Sequence, residues 1–413
     1  MQKNIGSVSL CIFFFLMLIF PASFQEIRGV LLLILFFFGI QSKKLFEIRY
    51  NNKIAVIWVV NIFFSFIFIF NGIIRSTPGA ISVSTVFIVW PILYFLFIGF
   101  IVEKEQIIPL LKTIIYGGLA SSLLILVFVY NNFFGFPLDL TYLVKVQDFG
   151  IYWDSGTFEM SSKNLPSVLY CYVFIFTILL IPSKLNHIFV KKDFLIVVLL
   201  ICTLLIFISA RRAFWVVCLL SPFIIIILLK LCKVDLKLYK FIIPVSIFVI
   251  VGFFFSTYLG LDKNNIITQL ESSIEFDNPE AESNYLRKEQ YDALVNGWKD
   301  NKLIGAGLGA SAKGSIRDEK TTWNYELSYL ALLFHVGIVG VLIYVVSVFW
   351  IIYESIKMCK INRLFVIFLI PQIASLICFL LVNASNPYLS KFDYLWVIFL
   401  PIATLNALKL DKN

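Results

Sequence analysis

Phe194–Leu231 reads FLIVVLLICTLLIFISARRAFWVVCLLSPFIIIILLKL. Two apolar runs, Phe194–Ser209 and Ala213–Leu231, meet at a very short connection that carries Arg211 and Arg212. Crossing a bilayer takes about 20 apolar residues as a helix. The runs are continuous and lack the period-two alternation of a membrane-spanning strand. The stretch therefore predicts two antiparallel membrane helices joined by a tight, doubly cationic turn.

The rest of the chain repeats the pattern. Of 413 residues, 60% are hydrophobic and 14% charged, with 44 Phe, 18 Tyr and 8 Trp. A soluble domain carries about 25% charged residues, so a water-soluble globule is excluded. Spanning segments are expected at Gly6–Phe24, Gly29–Ile40, Ile54–Phe70, Ala80–Val102, Ile107–Tyr130, Leu165–Ile181, Phe194–Ser209, Ala213–Leu231, Phe241–Leu259, Tyr325–Ile352, Leu364–Val382 and Tyr394–Leu408. The expected fold class is an all-α polytopic membrane protein of about 12 helices. Lys3 ahead of the apolar run Ser7–Phe20 has the layout of a secretory leader but lacks an A-x-A site, and reads as the first helix. The cysteines form no CxxC motif, so neither a disulfide nor a metal site is expected.

The net charge of +9 is spread in small clusters between apolar runs rather than gathered on one face. That is a topology signal, not a nucleic-acid surface. With a cytoplasmic N-terminus, the inside connections hold 18 Lys and Arg, while the short outside ones hold only Arg28, Arg75, Arg211, Arg212 and Lys391. Both termini are expected in the cytoplasm of a multi-pass plasma-membrane protein. The long connections Asn131–Asn164 and Gly260–Asn324 then lie outside, attached to a single membrane domain over 1–413.

Several residues stand out against this background. Arg211 and Arg212 break the charge pattern. They either snorkel to headgroups or contact a lipid diphosphate, which the planar guanidinium fork suits. In the late loop, Tyr291, Leu294, Val295 and Trp298 recur at helical spacing, predicting an amphipathic helix over Asn284–Trp298. Arg287 falls within that apolar stripe, where a merely solvated charge does not belong. Lys302-Leu303-Ile304-Gly305-Ala306-Gly307-Leu308-Gly309 follows. It fits neither nucleotide-binding glycine pattern, and its alternate glycines call for φ > 0 or close approach, as in a re-entrant turn against a substrate. Glu326 stands at the mouth of the next helix, where an ionisable group is costly and a functional candidate; pairing with a loop cation is its plainer role. His335 reads as a satisfied core histidine, and Gly337/Gly340 as tight helix packing. The loop acids Asp139, Asp148, Asp154 and Glu159 are further carboxylates, and Trp153, Trp298 and Trp323 offer stacking faces for sugars.

In order and spacing these features resemble the O-antigen polymerase and O-antigen ligase superfamily. The shared pattern comprises Ser209-Ala210-Arg211-Arg212 at a helix end, then Arg287 and Trp298. It continues through the Gly305/Gly307/Gly309 stretch, in which Lys302 replaces the family's Pro, and closes with Tyr329-Leu330-Ala331-Leu332-Leu333 before Gly337 and Gly340. The specific match covers about Ser209–Gly340. The ligases carry a His-Asn pair before that last helix, and here Glu326 stands in the register of the His, which favours a Wzy-type polymerase. The resemblance implies a metal-independent, cofactor-free inverting glycosyltransferase of GT-C-like architecture. Its implied partners are undecaprenyl-diphosphate-linked oligosaccharides in the bilayer, with the pathway's chain-length regulator and flippase. Glu326, Arg211 and Arg287 are the implied catalytic residues, and Arg212, Gly305, Gly307, Gly309, Trp298 and Tyr329 the implied substrate contacts. A ligase is the near rival, and a lipid-linked oligosaccharide flippase the rival from another class.

Overall fold

The computed structural model describes residues 2–21, 23–41, 49–100, 104–135, 139–154, 157–182, 189–234, 282–314 and 319–411. The expected helix Phe241–Leu259 lies outside the described residues. Helices fall on each of the other expected segments: α1 (Gln2–Ile19), α2 (Gln25–Gln41), α3 (Asn52–Ile74), α4 (Ala80–Ser84) continued through a π-helical turn into α5 (Trp90–Phe100), and α6 (Lys104–Phe134). A short α7 (Thr141–Gln147) precedes α8 (Leu165–Leu180), α9 (Lys192–Ile208), α10 (Arg212–Leu231) and α11 (Glu282–Lys299). The chain closes with α12 (Ser328–Ile361), α13 (Phe365–Asn383) and α14 (Trp396–Leu410).

Among the described residues, 7 helices are long and apolar enough to cross a membrane, fewer than the twelve expected. Of the other five, α2, α8 and α9 run only 16 to 17 residues, at the lower limit for a crossing, α1 counts only over Val8–Ile19, and Phe241–Leu259 lies outside the described residues. The chain is a polytopic membrane protein. α8 and α13 form its centre: nearly every residue of α8 is buried, as is 83% of the spanning window of α13, against 28% for α3 and α12, whose apolar side chains face outward. The first long connection is not irregular. It holds α7 and a hairpin of β1 (Gly150–Asp154) and β2 (Thr157–Ser161), with Gly150 opposite Ser161 and Asp154 opposite Thr157. The fold class thus gains a small antiparallel ribbon that hydropathy does not reveal.

The break in α12 governs the architecture of the loop end. Gly337 leaves the helix at φ 65° and ψ −172°. An unbroken helix would pair the Ile338 and Val339 N–H groups with the Phe334 and His335 carbonyls, and orphaned backbone groups in an apolar setting cost several kcal/mol. The glycine-rich turn satisfies all four groups. Ala306 N–H donates to the Phe334 carbonyl at 2.8 Å and Gly307 N–H to that of His335 at 2.9 Å. In return, Ile338 N–H donates to the Lys302 carbonyl at 3.0 Å and Val339 N–H to that of Leu303 at 3.1 Å. The turn reaches further, with Leu308 N–H on the Phe68 carbonyl of α3 and the Gly309 carbonyl accepting from Gly79 N–H. Gly337 is therefore a helix break rather than a packing residue; Gly340 does pack closely, against Val336 and Phe68.

Two ion pairs tie distant segments together. Arg28 Nη1 lies 2.6 Å from Asp393 Oδ1, with side chains only 2% and 3% exposed. At the opposite end of α12 and α14, Lys409 Nζ lies 2.6 Å from Glu354 Oε2 and 5.1 Å from the centre of the Trp350 ring.

Candidate functional site

The arginine turn is built by local side chains. Ser209 Oγ donates to the Ile206 carbonyl at 2.8 Å and accepts from Arg211 N–H at 3.4 Å, while Trp215 Nε1 reaches back to the Ile206 carbonyl at 3.0 Å. Ala210 sits at φ 52°, a left-handed conformation costing roughly 1–2 kcal/mol for a residue with a Cβ. Below, Met160 N–H of β2 donates to the Ser209 carbonyl at 3.2 Å, so the hairpin braces the turn. Arg211 caps the N-terminus of α10 and Arg212 is its first residue. Cations oppose the helix dipole there, so neither arginine stabilises the helix by its position. Arg211 Nη1 donates to Asn386 Oδ1 at 3.3 Å.

The second element is α11. Its inward face is Arg287, Gln290, Leu294 and Gly297; Arg287 and Leu294 belong to the expected stripe, whereas Tyr291 is 52% exposed. Leu294 is buried in a cluster with Ala310, Ala312, Tyr325, Ala331 and Phe334, and a Cβ on Gly297 would strike the Phe334 ring. Docked this way, α11 brings Arg287 Nε to 2.8 Å from Glu326 Oε2. Gln290 fixes the same segment, its Oε1 accepting from Glu326 N–H at 2.9 Å. Glu326 lies in a bend two residues before the start of α12. The Tyr325 hydroxyl accepts from Ala312 N–H at 2.6 Å, and burial raises its pKa. His335 is buried with Nε2 3.0 Å from the Ala310 carbonyl, holding the glycine turn as a core histidine.

The third element, the connection from α13 to α14, carries no expected site residue, yet it joins the other two. Asn383 Nδ2 donates to Ser328 Oγ at 3.3 Å, and Ser328 Oγ in turn donates to the Asn383 carbonyl. Asn386 holds Arg211, and Asp393 pairs with Arg28. Beside this junction lies an apolar cavity of about 1070 Å³ between α3, α5, α12 and α14, walled at one end by Trp323, Asn324, Tyr325, Ser328, Tyr329 and Asn383. Its far end reaches Ile54, Trp350 and Ile402.

The expected residues are thus partly assembled. Arg287 and Glu326 meet directly, Arg211 is linked to them through Asn386, Asn383 and Ser328, and Arg212 extends the same turn. Tyr329 lines the cavity and donates its hydroxyl to the Leu380 carbonyl. Gly305, Gly307 and Gly309 sit where the chain packs closely: a Cβ on each would meet protein backbone, at 2.4 Å from His335, 2.6 Å from Gly72 and 2.3 Å from Ala80. Only Leu308 of that turn faces the cavity. Trp298 Nε1 donates to the Lys302 carbonyl at 3.3 Å where α11 reverses into the turn. Asp139 lies apart in the first long connection, where the Thr141 side chain and N–H hold its carboxyl below the usual carboxylate range. Asn383 and Asn386 carried no charge or motif to betray them. Asp393, an acid beside an apolar segment, did carry such a signal.

No curated protein matches the chain. Residues 196–345 match the family model described as O-antigen ligase, a stretch that holds the arginine turn, α11, the glycine-rich turn, Glu326 and the broken helix. Over this segment the chain is similar to the O-antigen ligase family.

Proposed function

We propose that the protein polymerises lipid-linked oligosaccharides on the outer face of the plasma membrane. The growing glycan moves from undecaprenyl diphosphate to the non-reducing sugar hydroxyl of an incoming lipid-linked unit. The bond from the anomeric carbon to the diphosphate oxygen breaks as the hydroxyl oxygen attacks from the opposite face. Undecaprenyl diphosphate departs with the electron pair, and the hydroxyl proton passes to a base. Arg211, Arg212 and Arg287 balance the charge that develops on the leaving group, which fixed donors do well in a water-poor site. Glu326 is the proposed base.

The observation that carries the reading is the Arg287–Glu326 pair, a guanidinium and a carboxylate held together next in sequence to Tyr325 and Ser328, which line an apolar cavity. The cavity suits a polyprenyl chain, as the ion pair suits the diphosphate and acceptor hydroxyl. Transfer to a different acceptor, the ligase reaction, is the second reading, favoured by the description of the matching family. The two separate in a deletion strain. Single lipid-linked units should accumulate outside if the protein polymerises, and full-length unattached chains if it ligates. Units trapped on the cytoplasmic face would overturn both.

A further inference from the structure

The connection between α13 and α14 lies outside the segment that matches the family model, and its Asn386 carries no charge. It nevertheless contacts both halves of the site. We propose that Asn386 is a positioning residue that presets the Arg211 guanidinium for a diphosphate, with Asn383 as the anchor that holds this connection against the Glu326 segment. The proposal rests on the reading of Arg211 as a diphosphate ligand.

The geometry runs in one direction. Asn386 Nδ2 donates to Ser385 Oγ at 3.1 Å, which turns its Oδ1 toward Arg211 Nη1 at 3.3 Å. The connection itself is fixed. Asn383, only 3% exposed, accepts from Leu389 N–H at 2.9 Å through Oδ1 and donates to Ser328 Oγ through Nδ2. Phe214 of α10, Phe379 of α13 and the Tyr388 and Tyr394 rings pack together beneath it, the two tyrosine centroids 5.5 Å apart. An arginine side chain loses rotamer entropy on binding, and an acceptor that holds it beforehand removes part of that cost.

The test uses the full-length protein in detergent with undecaprenyl diphosphate as the probe, reading both its dissociation constant and the thermal midpoint. Asn386→Ala is expected to weaken binding about tenfold at an unchanged midpoint. Asn386→Gln, which keeps a neutral acceptor, should recover part of the loss. The double variant Arg211→Ala/Asn386→Ala should bind no more weakly than Arg211→Ala alone, because Asn386 acts through the arginine. Wild-type binding by Asn386→Ala alongside a loss in Arg211→Ala overturns the positioning role and leaves the diphosphate reading standing. Fully additive losses overturn it too, since Asn386 would then act independently of Arg211. Wild-type binding by Arg211→Ala removes the diphosphate reading itself. Should Asn386→Ala fail to fold, Asn386→Gln and Asn386→Val, which has no acceptor, carry the comparison, and equal affinity in both would overturn the proposal.

Discussion

Arg287 and Glu326 present the choice between a structural and a chemical role at the scale of single side chains. Their side chains remain 34% and 22% exposed, and an ion pair in contact with solvent contributes only about 0.2–1 kcal/mol. The pair is too weak to be the reason the loop folds, especially as Leu294 and Gln290 already dock α11. Glu326→Gln should therefore leave membrane abundance near normal while lowering turnover by roughly 10²–10⁴-fold if the carboxylate takes the acceptor's proton. Normal turnover at normal abundance would remove Glu326 as the base. Arg211→Lys, Arg212→Lys and Arg287→Lys keep a charge but lose the fork. Polymerisation measured by glycan length should drop in each and fail in at least one, and wild-type lengths in all three would dispose of the clamp.

Among the elements, the broken helix and the turn inserted in it are the most sensitive to change. Their four shared backbone groups have an alternative pairing, the continuous helix, in which Ile338 and Val339 bond back to Phe334 and His335. Gly337 decides between the two because only a residue without a Cβ tolerates φ 65° there, and a Cβ would lie 2.3 Å from the Leu303 carbonyl oxygen. Gly337→Ala should cost about 1–3 kcal/mol and release the turn. Thermal unfolding in detergent would register the first effect. For the second, a cysteine placed at Ala306 should react with an impermeant maleimide far faster in the Gly337→Ala background. Equal labelling in both backgrounds would mean that the turn stays seated without the break.

For the molecule as a whole, the Arg28–Asp393 pair matters most, since it fastens the start of α2 to the entrance of α14 across most of the chain. Removing one partner leaves a buried charge, a loss of about 3–5 kcal/mol, whereas replacing both by apolar residues of similar size is nearly neutral. Asp393→Asn should accordingly lower the thermal midpoint sharply, and Arg28→Met/Asp393→Leu should recover most of it. A double variant no better than the single would show that Arg28 contributes more than this contact. Orientation in the bilayer belongs to the same scale. Reporter fusions at Lys192 and Lys237 should read cytoplasmic and one at Asn301 outside, by the excess of basic residues in the former connections. A cytoplasmic reading at Asn301 would sink the outer-face reaction.

The sequence alone determined that this chain lives in a membrane, where most of its helices fall, and that Arg211, Arg287 and Glu326 are unusual, because hydropathy and the cost of placing charge are written residue by residue. The helix over Glu282–Lys299 was legible from its spacing, but its buried face only in part, since docking chose the side that carries Gly297 and Leu294 and left Tyr291 in solvent. The glycines announced unusual backbone; whether they faced a ligand or the protein depended on which segments came to lie against them. Tertiary structure alone joined Arg287 to Glu326, seated the turn in the gap at Gly337, and brought Asn383, Asn386 and Asp393 to the site. Those contacts link residues tens to hundreds of positions apart, and no local propensity encodes them. They arise where helices of fixed length and apolar face pack into one bundle and each buried polar group must find whatever partner lies within reach.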